Sequence, residues 1–344
     1  MERVAAVEGF AVETVEGLIF TVKGMVHPHD GSIAYLRYLP DPGGDRTRGG
    51  VSYRRVYRME ELRKILRGRF PVYIGHDPVF GFEVQRVPNR RARKVLDPCS
   101  RLAEMFQEGA QDPLEESVLA FADLLKEASG VPMSSLGVSG SLLVGLQRPG
   151  SDIDLTVYGD GEARAVHRAL GRLLDFGRGA VRRLDQAELA ALHSGHVVDT
   201  PLSFSDFARL QSRKVNEGFF GGIPYFIRFI KGREECDEHY GDVSYEQIGQ
   251  AAVRFRVADD GDAIFTPCRY AVEEARFPDR AEGVDLREVI SFRGRFSDQV
   301  RAGEQATARG TLERVVRREG GTYHRITVGG NPGDYLVSRE TSAR

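Results

Sequence analysis

The sequence predicts a multidomain α+β protein, and three observations carry that expectation. At 344 residues the chain is too long for one compact domain of ordinary size. Residues 97–240 alternate helical and strand-like patterns, which is how a mixed α/β core reads. Residues 241–344 change to many short strand-like runs separated by glycine turns, the pattern of a small β barrel or sandwich. With residues 1–96 as an N-terminal α+β unit, the expected domains are 1–96, 97–240 and 241–344.

In the first of these, Leu18 to Val26 and Ser32 to Leu39 read as strands around the turn His27-Pro28-His29-Asp30-Gly31. Asp41 to Gly50 is a mobile loop by composition. Ser52 to Arg58 reads as a strand, Met59 to Arg67 as an amphipathic helix closed by Gly68, and Val72 to Ile74 and Phe82 to Gln85 as short strands. His27 and His29 read as solvated turn imidazoles, since a metal site would need further ligands nearby. The basic run Arg86 to Lys94 fits either a phosphate clamp or a solvated helix start.

In the central region, Leu114 to Ala128 places Leu114, Val118, Phe121, Leu124 and Leu125 at helical spacing, and Gly130-Val131-Pro132 ends the helix. Met133 to Val138 reads as a strand and Ser141 as the start of a helix. The stretch Ser151-Asp152-Ile153-Asp154 then opens an apolar strand, Leu155-Thr156-Val157-Tyr158, followed by a helix from Ala163 to Leu174. Alternation on a strand sends Asp152 and Asp154 to the same face. Two adjacent carboxylates repel each other, and a hard divalent cation, Mg²⁺ or Mn²⁺, relieves that cost. Gly140 and Ser141 would offer backbone N–H groups and a hydroxyl to phosphate beside such an ion.

The combination Ser139-Gly140-Ser141, Gly145 and Ser151-Asp152-Ile153-Asp154 resembles the nucleotidyltransferase superfamily typified by DNA polymerase beta. The likeness covers residues 130–180, roughly, and rests on glycine, serine, spacing and strand context together. It implies a nucleotidyltransferase core in which Asp152 and Asp154 hold Mg²⁺ ions, one activating an attacking hydroxyl and one carrying the triphosphate. It also implies that Gly140 and Ser141 bind phosphate, and that a nucleoside monophosphate passes from an NTP to an acceptor with loss of pyrophosphate.

A third carboxylate on a later strand belongs to that pattern. Asp199 is a candidate metal ligand, although Pro201 makes a turn or helix entry the stronger reading of it, leading into a helix from Phe204 to Lys214. The better later strand, Ile223 to Ile230, centres on Arg228, which would contact phosphate or replace the third ligand. Arg213 and Lys214, at a basic helix end before the glycine-rich Gly218 to Gly222, would reach the nucleotide or serve the helix dipole.

The strand-like runs of the last region are Ala252 to Val257, Ala263 to Thr266, Val289 to Phe296, Gln305 to Val316, His324 to Val328 and Tyr335 to Val337. They suggest an OB-like barrel or a sandwich. Arg293, Arg295, Arg309, Arg314, Arg317, Arg318 and Arg325 lie among Phe292, Phe296, Tyr323 and Tyr335. That mixture suits single-stranded nucleic acid, and, with its interspersed acids, equally an ordinary salt-bridged surface.

Net charge is −2, so no global field draws the chain to nucleic acid, and any such binding uses local patches. The cysteines, Cys99, Cys236 and Cys268, are odd in number and show no zinc spacing, which suits a reducing cytoplasm. The first twenty residues carry acids unlike a signal peptide, and no apolar run approaches the ~20 residues of a membrane span. The expected protein is a cytoplasmic Mg²⁺-dependent (or Mn²⁺-dependent) nucleotidyltransferase acting on an NTP and an acceptor hydroxyl, with RNA as the first choice of acceptor and no membrane partner. The rival is a catalytically inactive relative that binds NTP or nucleic acid as a regulatory module.

Overall fold

The computed structural model describes residues 6–56, 58–176, 179–278 and 283–338. The chain is multidomain α+β and divides into two compact units. One comprises Met1–Asp77, Phe82–Arg182 and Gly218–Tyr240, and the other Pro78–Gly81, Arg183–Glu217 and Gly241–Arg344. The segments expected as separate first and second domains thus contribute mostly to one unit, while 183–217 joins the C-terminal region.

The first unit contains two sheets. Its N-terminal sheet is built from β1 (Ala11–Thr14), β2 (Ile19–Val22), β3 (Gly31–Pro40), β4 (Arg46–Arg48), β5 (Val51–Arg55), β6 (Ile74–Asp77), β7 (Phe82–Pro88) and β8 (Ala92–Leu96), with α1 (Met59–Arg69) between β5 and β6. Strand order is β4-β5-β3-β2-β1-β8, with β7 also pairing β3 and β6 pairing β7. One core gathers Phe20, Leu36, Leu62, Leu66 and Tyr73. A second contains Ile19, Tyr38 and Tyr53 together with Leu143, Val144 and Leu146. The N-terminal sheet therefore packs directly on the segment that follows the Gly-Ser turn.

That contact revises the expectation of a mobile loop at Asp41 to Gly50. Arg46 to Arg48 form β4, a hairpin partner of β5 with Arg48 opposite Val51. Arg46 is buried and donates from Nη1 to the Leu146 carbonyl at 2.5 Å; Arg48 donates to the Val144 carbonyl at 3.0 Å. The Val144 carbonyl caps the end of a short helix, where no intrahelical donor remains, and the Leu146 carbonyl lies in the segment just beyond it. Removing a partner strands a buried acceptor, which costs about 1–3 kcal/mol. Arg46→Ala is expected to destabilise the first unit by that amount, and urea unfolding of the variant against wild type measures it.

Other local expectations also change. Val72 and Tyr73 belong to a 3₁₀ turn begun by Pro71, not to a strand. Arg86 to Lys94 is neither helix start nor free clamp: it ends β7, turns through Asn89–Arg91 and enters β8. Three of its arginines are ion-paired: Arg86 with Asp30 at 3.2 Å, Arg91 with Glu16 at 3.1 Å and Arg93 with Glu13 at 3.7 Å.

The rest of this unit carries α2 (Pro98–Glu108), α3 (Pro113–Ser129), β9 (Leu136–Val138), α4 (Gly140–Leu143), β10 (Ile153–Tyr158), α5 (Asp160–Phe176), β11 (Val181–Arg182), β12 (Glu217–Phe220) and β13 (Ile223–Ile230). The second sheet has order β11-β12-β13-β10-β9; β10 runs parallel to β13 and antiparallel to β9. Ile153, Leu155 and Val157 are buried, as are Tyr225, Ile227 and Phe229 across the parallel pair. Helix α3 brings Phe121 against Tyr225, ring centroids 5.0 Å apart, and α5 brings His167 against Phe229. With the apolar residues turned to the helices, strand alternation turns Asp152, Asp154 and Thr156 the other way.

The second unit holds α6 (Gln186–His196), α7 (Phe204–Gln211) and the strands β14 (Val243–Asp259), β15 (Cys268–Arg276), β16 (Leu286–Ser291), β17 (Gln305–Arg317), β18 (Thr322–Thr327) and β19 (Tyr335–Ser338). Helix α7 stops at Gln211, short of Lys214, and Ala263 to Ile264 is a turn rather than a strand. The sheet is curled. β14 pairs with both β15 and β17, so the pairing β14-β15-β16-β18-β17 returns on itself, with β16 parallel to β18. Val253, Phe255, Val257, Tyr270, Val289, Leu312 and Ile326 fill its core. Among the described residues no helix is long and apolar enough to cross a membrane.

Candidate functional site

The site expected at the Gly-Ser turn and the paired aspartates is assembled within the first unit. Gly140 opens α4 at φ +61°, a conformation that side chains rarely adopt. A Cβ there would lie 1.9 Å from Asp154 Oδ2, so this backbone and that carboxylate are in direct apposition. The Ser139 N–H donates to the Asp154 carbonyl at 2.8 Å, locking the turn to the strand. Ser141 is buried, and its carbonyl accepts the Leu146 N–H at 2.8 Å.

Asp152 is exposed just before β10 and Asp154 is partly buried two residues further in. Burial raises the carboxyl of Asp154 above its usual range; the Arg228, Arg55 and Arg37 charges oppose that, and Asp152 adds to it. Burial likewise raises Asp152, against the charge of Arg55. The pair thus has an electrostatic need for positive charge that nearby guanidiniums meet in part.

Arg228 sits on β13, paired with Thr156, two positions along from the Asp154–Phe226 pair. Its Nε is 3.7 Å from Glu8 Oε1. Glu8 is fully buried and already accepts from Lys23 Nζ at 2.8 Å and from the Gly24 N–H at 2.7 Å. Burial lowers the Lys23 ammonium, with Glu8 opposing and Arg228 and Arg37 reinforcing the shift. The N-terminal sheet therefore supplies Arg37 from β3, Arg55 from β5, and the Glu8–Lys23 pair to the surroundings of Asp154. Sequence reasoning missed these four. The available signal was a lone arginine inside the apolar run Ile33-Ala34-Tyr35-Leu36-Arg37-Tyr38-Leu39.

His27 belongs to the same buried polar surroundings rather than to a solvated turn. Its Nδ1 accepts the Ile33 N–H at 3.1 Å, and burial lowers its pKa to about 4. In the second unit, burial and the Arg295 and Lys214 charges lower His196 to about 4 as well. A histidine near 6.5 unfolded and about 4 folded binds its proton more readily when unfolded. Its contribution is whole above pH 6.5 and fades as pH falls toward 4, by at most roughly 3 kcal/mol per ring. Folding stability is expected to drop across that window. A pH series of urea midpoints checks it, and His27→Gln should flatten part of the slope.

The remaining sequence candidates lie in the second unit. Asp199 follows α6 in a turn and meets Arg295 at 3.4 Å and Arg293 at 3.5 Å. Arg213 pairs with Glu304 at 2.6 Å. Lys214 is buried, donates to the Arg295 carbonyl, and is lowered by its burial. Each is engaged within its own unit. Among the described residues no group of three or more His, Cys, Asp or Glu side chains is placed to hold a metal ion. Two carboxylates remain as donors, which suffices for a Mg²⁺ ion that keeps waters and takes further oxygens from substrate phosphates.

No protein-family model matches the chain, and no solved structure matches it. The chain is similar to the uncharacterized protein MJ1086 of Methanocaldococcus jannaschii, with 31% identity over 327 residues that cover 92% of this chain and 94% of that protein. At that identity and nearly full-length coverage, the chain belongs to the family of MJ1086.

Proposed function

We propose that the first unit is a nucleotidyltransferase that moves a nucleoside monophosphate from an NTP to an acceptor hydroxyl, with Mg²⁺ or Mn²⁺ as cofactor. The observation that carries this is the apposition of Gly140 and Asp154, which sets a glycine-opened backbone turn against the Asp154 carboxylate. Asp152 and Asp154 would hold the cation, which supplies Lewis-acid neutralisation of the phosphates. The Gly140 and Ser141 backbone would position the outer phosphates, and Arg228, Arg55 and Arg37 would balance charge that builds on the transferred group.

RNA is the proposed acceptor. The curled sheet of the second unit has the strand order of an OB-like barrel, whose relatives bind single strands. Tyr323 there has Arg287 and Arg317 guanidiniums 5.4 and 5.5 Å from its ring centroid, an arginine–aromatic cluster of the kind that contacts single strands. The three free cysteines fit a reducing, cytoplasmic setting.

A second reading rests on Arg228 itself. With a guanidinium at the central polar position of β13, the unit would bind NTP without turning it over and act as a regulatory module. Incubation with α-labelled NTPs, Mg²⁺ or Mn²⁺, and total RNA or protein separates the two. Label transfer lost in Asp152→Ala/Asp154→Ala supports the enzyme. Absent transfer, with NTP bound by the wild type, supports the module.

A further inference from the structure

We propose that this site takes a single divalent cation, and that Arg228 is a fixed positive group contacting the triphosphate where a second ion would otherwise be required. The inference rests on the nucleotidyl-transfer reading of the same site. Its first support is the donor set. Asp152 and Asp154 form the carboxylate pair, and no group of three or more metal-ligating side chains exists among the described residues. Such a pair, with phosphate oxygens and water, completes the coordination of one Mg²⁺ ion. A triphosphate needs more positive charge than one ion and two carboxylates leave over, so other cations must supply it.

Arg228 is placed for that task. It stands on the strand paired with the aspartate strand, two positions along from Phe226, the partner of Asp154. Its Nε is buried and has no hydrogen-bond partner. The nearest acid, Glu8, lies at 3.7 Å, beyond hydrogen-bond range, with Lys23 Nζ and the Gly24 N–H on its two oxygens. The guanidinium thus has the Glu8 charge 3.7 Å from its Nε and the Phe226 ring 5.7 Å from its carbon, and its Nε donor is unspent. Guanidinium forks bind phosphate in bidentate geometry, and a buried one costs nothing to reorganise as charge develops. Arg37 and Arg55 add to the same field.

The test is Mn²⁺ binding by electron paramagnetic resonance with a non-hydrolysable α,β-methylene NTP, on the full chain. The wild type is expected to bind one Mn²⁺ per chain with the analogue. Arg228→Ala keeps that one ion and loses roughly 10- to 100-fold in analogue affinity. Arg228→Lys, the variant least prone to misfold, falls between the two, because it keeps the charge and loses the fork. Two ions per wild-type chain with tight analogue binding would overturn the single-ion inference alone. Unchanged analogue affinity in both variants would overturn the role of Arg228. No analogue binding by the wild type would overturn both this inference and the nucleotide reading beneath it.

Discussion

On the proposed nucleotidyl-transfer reading, Gly140→Ala is expected to leave the chain folded and to lower transfer by about 100-fold or more. Two independent effects converge there. The left-handed φ of +61° disfavours any Cβ, at about 1 kcal/mol, which a folded domain tolerates. The Cβ would also fall 1.9 Å from Asp154 Oδ2, well inside any real contact. Either the turn or the carboxylate must move by more than an ångström. Misplacement on that scale costs on the order of 100-fold in rate when the reaction depends on positioning. Thermal melting and α-label transfer, measured on one preparation, check both halves. A variant with wild-type transfer would mean that the Gly-Ser turn does not face the reacting phosphates.

The largest stability effect is expected in the second unit, at the Arg325–Glu313 pair. The two meet at 2.7 Å with 9% and 2% of their side chains exposed. Glu313 also accepts the Thr327 hydroxyl at 2.9 Å, and the Arg325 guanidinium lies 3.6 Å from the Tyr245 ring centroid. Glu313→Ala removes the partner of a buried guanidinium, and the stranded charge costs about 3–5 kcal/mol. The double variant Glu313→Leu/Arg325→Met replaces the pair by apolar groups of similar volume. It is expected to recover most of that loss, because desolvating the pair costs about as much as its attraction returns. Denaturant unfolding of the variants reads both numbers. A double variant as unstable as the single one would contradict this account of the pair.

What could be read from the chain differs from element to element. The aspartate strand, the helices on either side of it and the strand around Arg228 follow from periodicity, because each buries one continuous apolar face. The hairpin of β4 and β5 carried a signal too: Gly49-Gly50 between Arg48 and Val51 is a tight-turn pair between paired residues. Its composition, rich in glycine and arginine, resembled a loop, since the arginines satisfy carbonyls 96 and 100 residues away that no local pattern reveals. Strand β15 was obscured by Glu273 and Glu274 near its end, where a positive φ at Glu274 interrupts regular alternation.

The same limit shaped the candidate site. Asp154 and Arg228 lie on two paired strands, Asp152 just before the first of them and Gly140 in the turn beside it, so local spacing was enough to select them. Arg37, Arg55, Glu8 and Lys23 enter from another sheet, and only tertiary packing puts their charges near Asp154. Asp199, Arg213 and Lys214 were selected because acids and bases near helix ends resemble ligands. In the fold their charges are met by Arg293, Arg295, Glu304 and a backbone carbonyl of their own unit.

The most direct test of the central claim is to follow which phosphorus of the NTP reaches the acceptor. Parallel reactions with α-labelled and γ-labelled NTP, Mg²⁺ and RNA are compared for the wild type and Asp152→Ala/Asp154→Ala. Expected are α-label on the acceptor, γ-label released as pyrophosphate, and neither in the double variant. Transfer of γ-label, or α-label transfer that survives the double variant, would contradict the central claim.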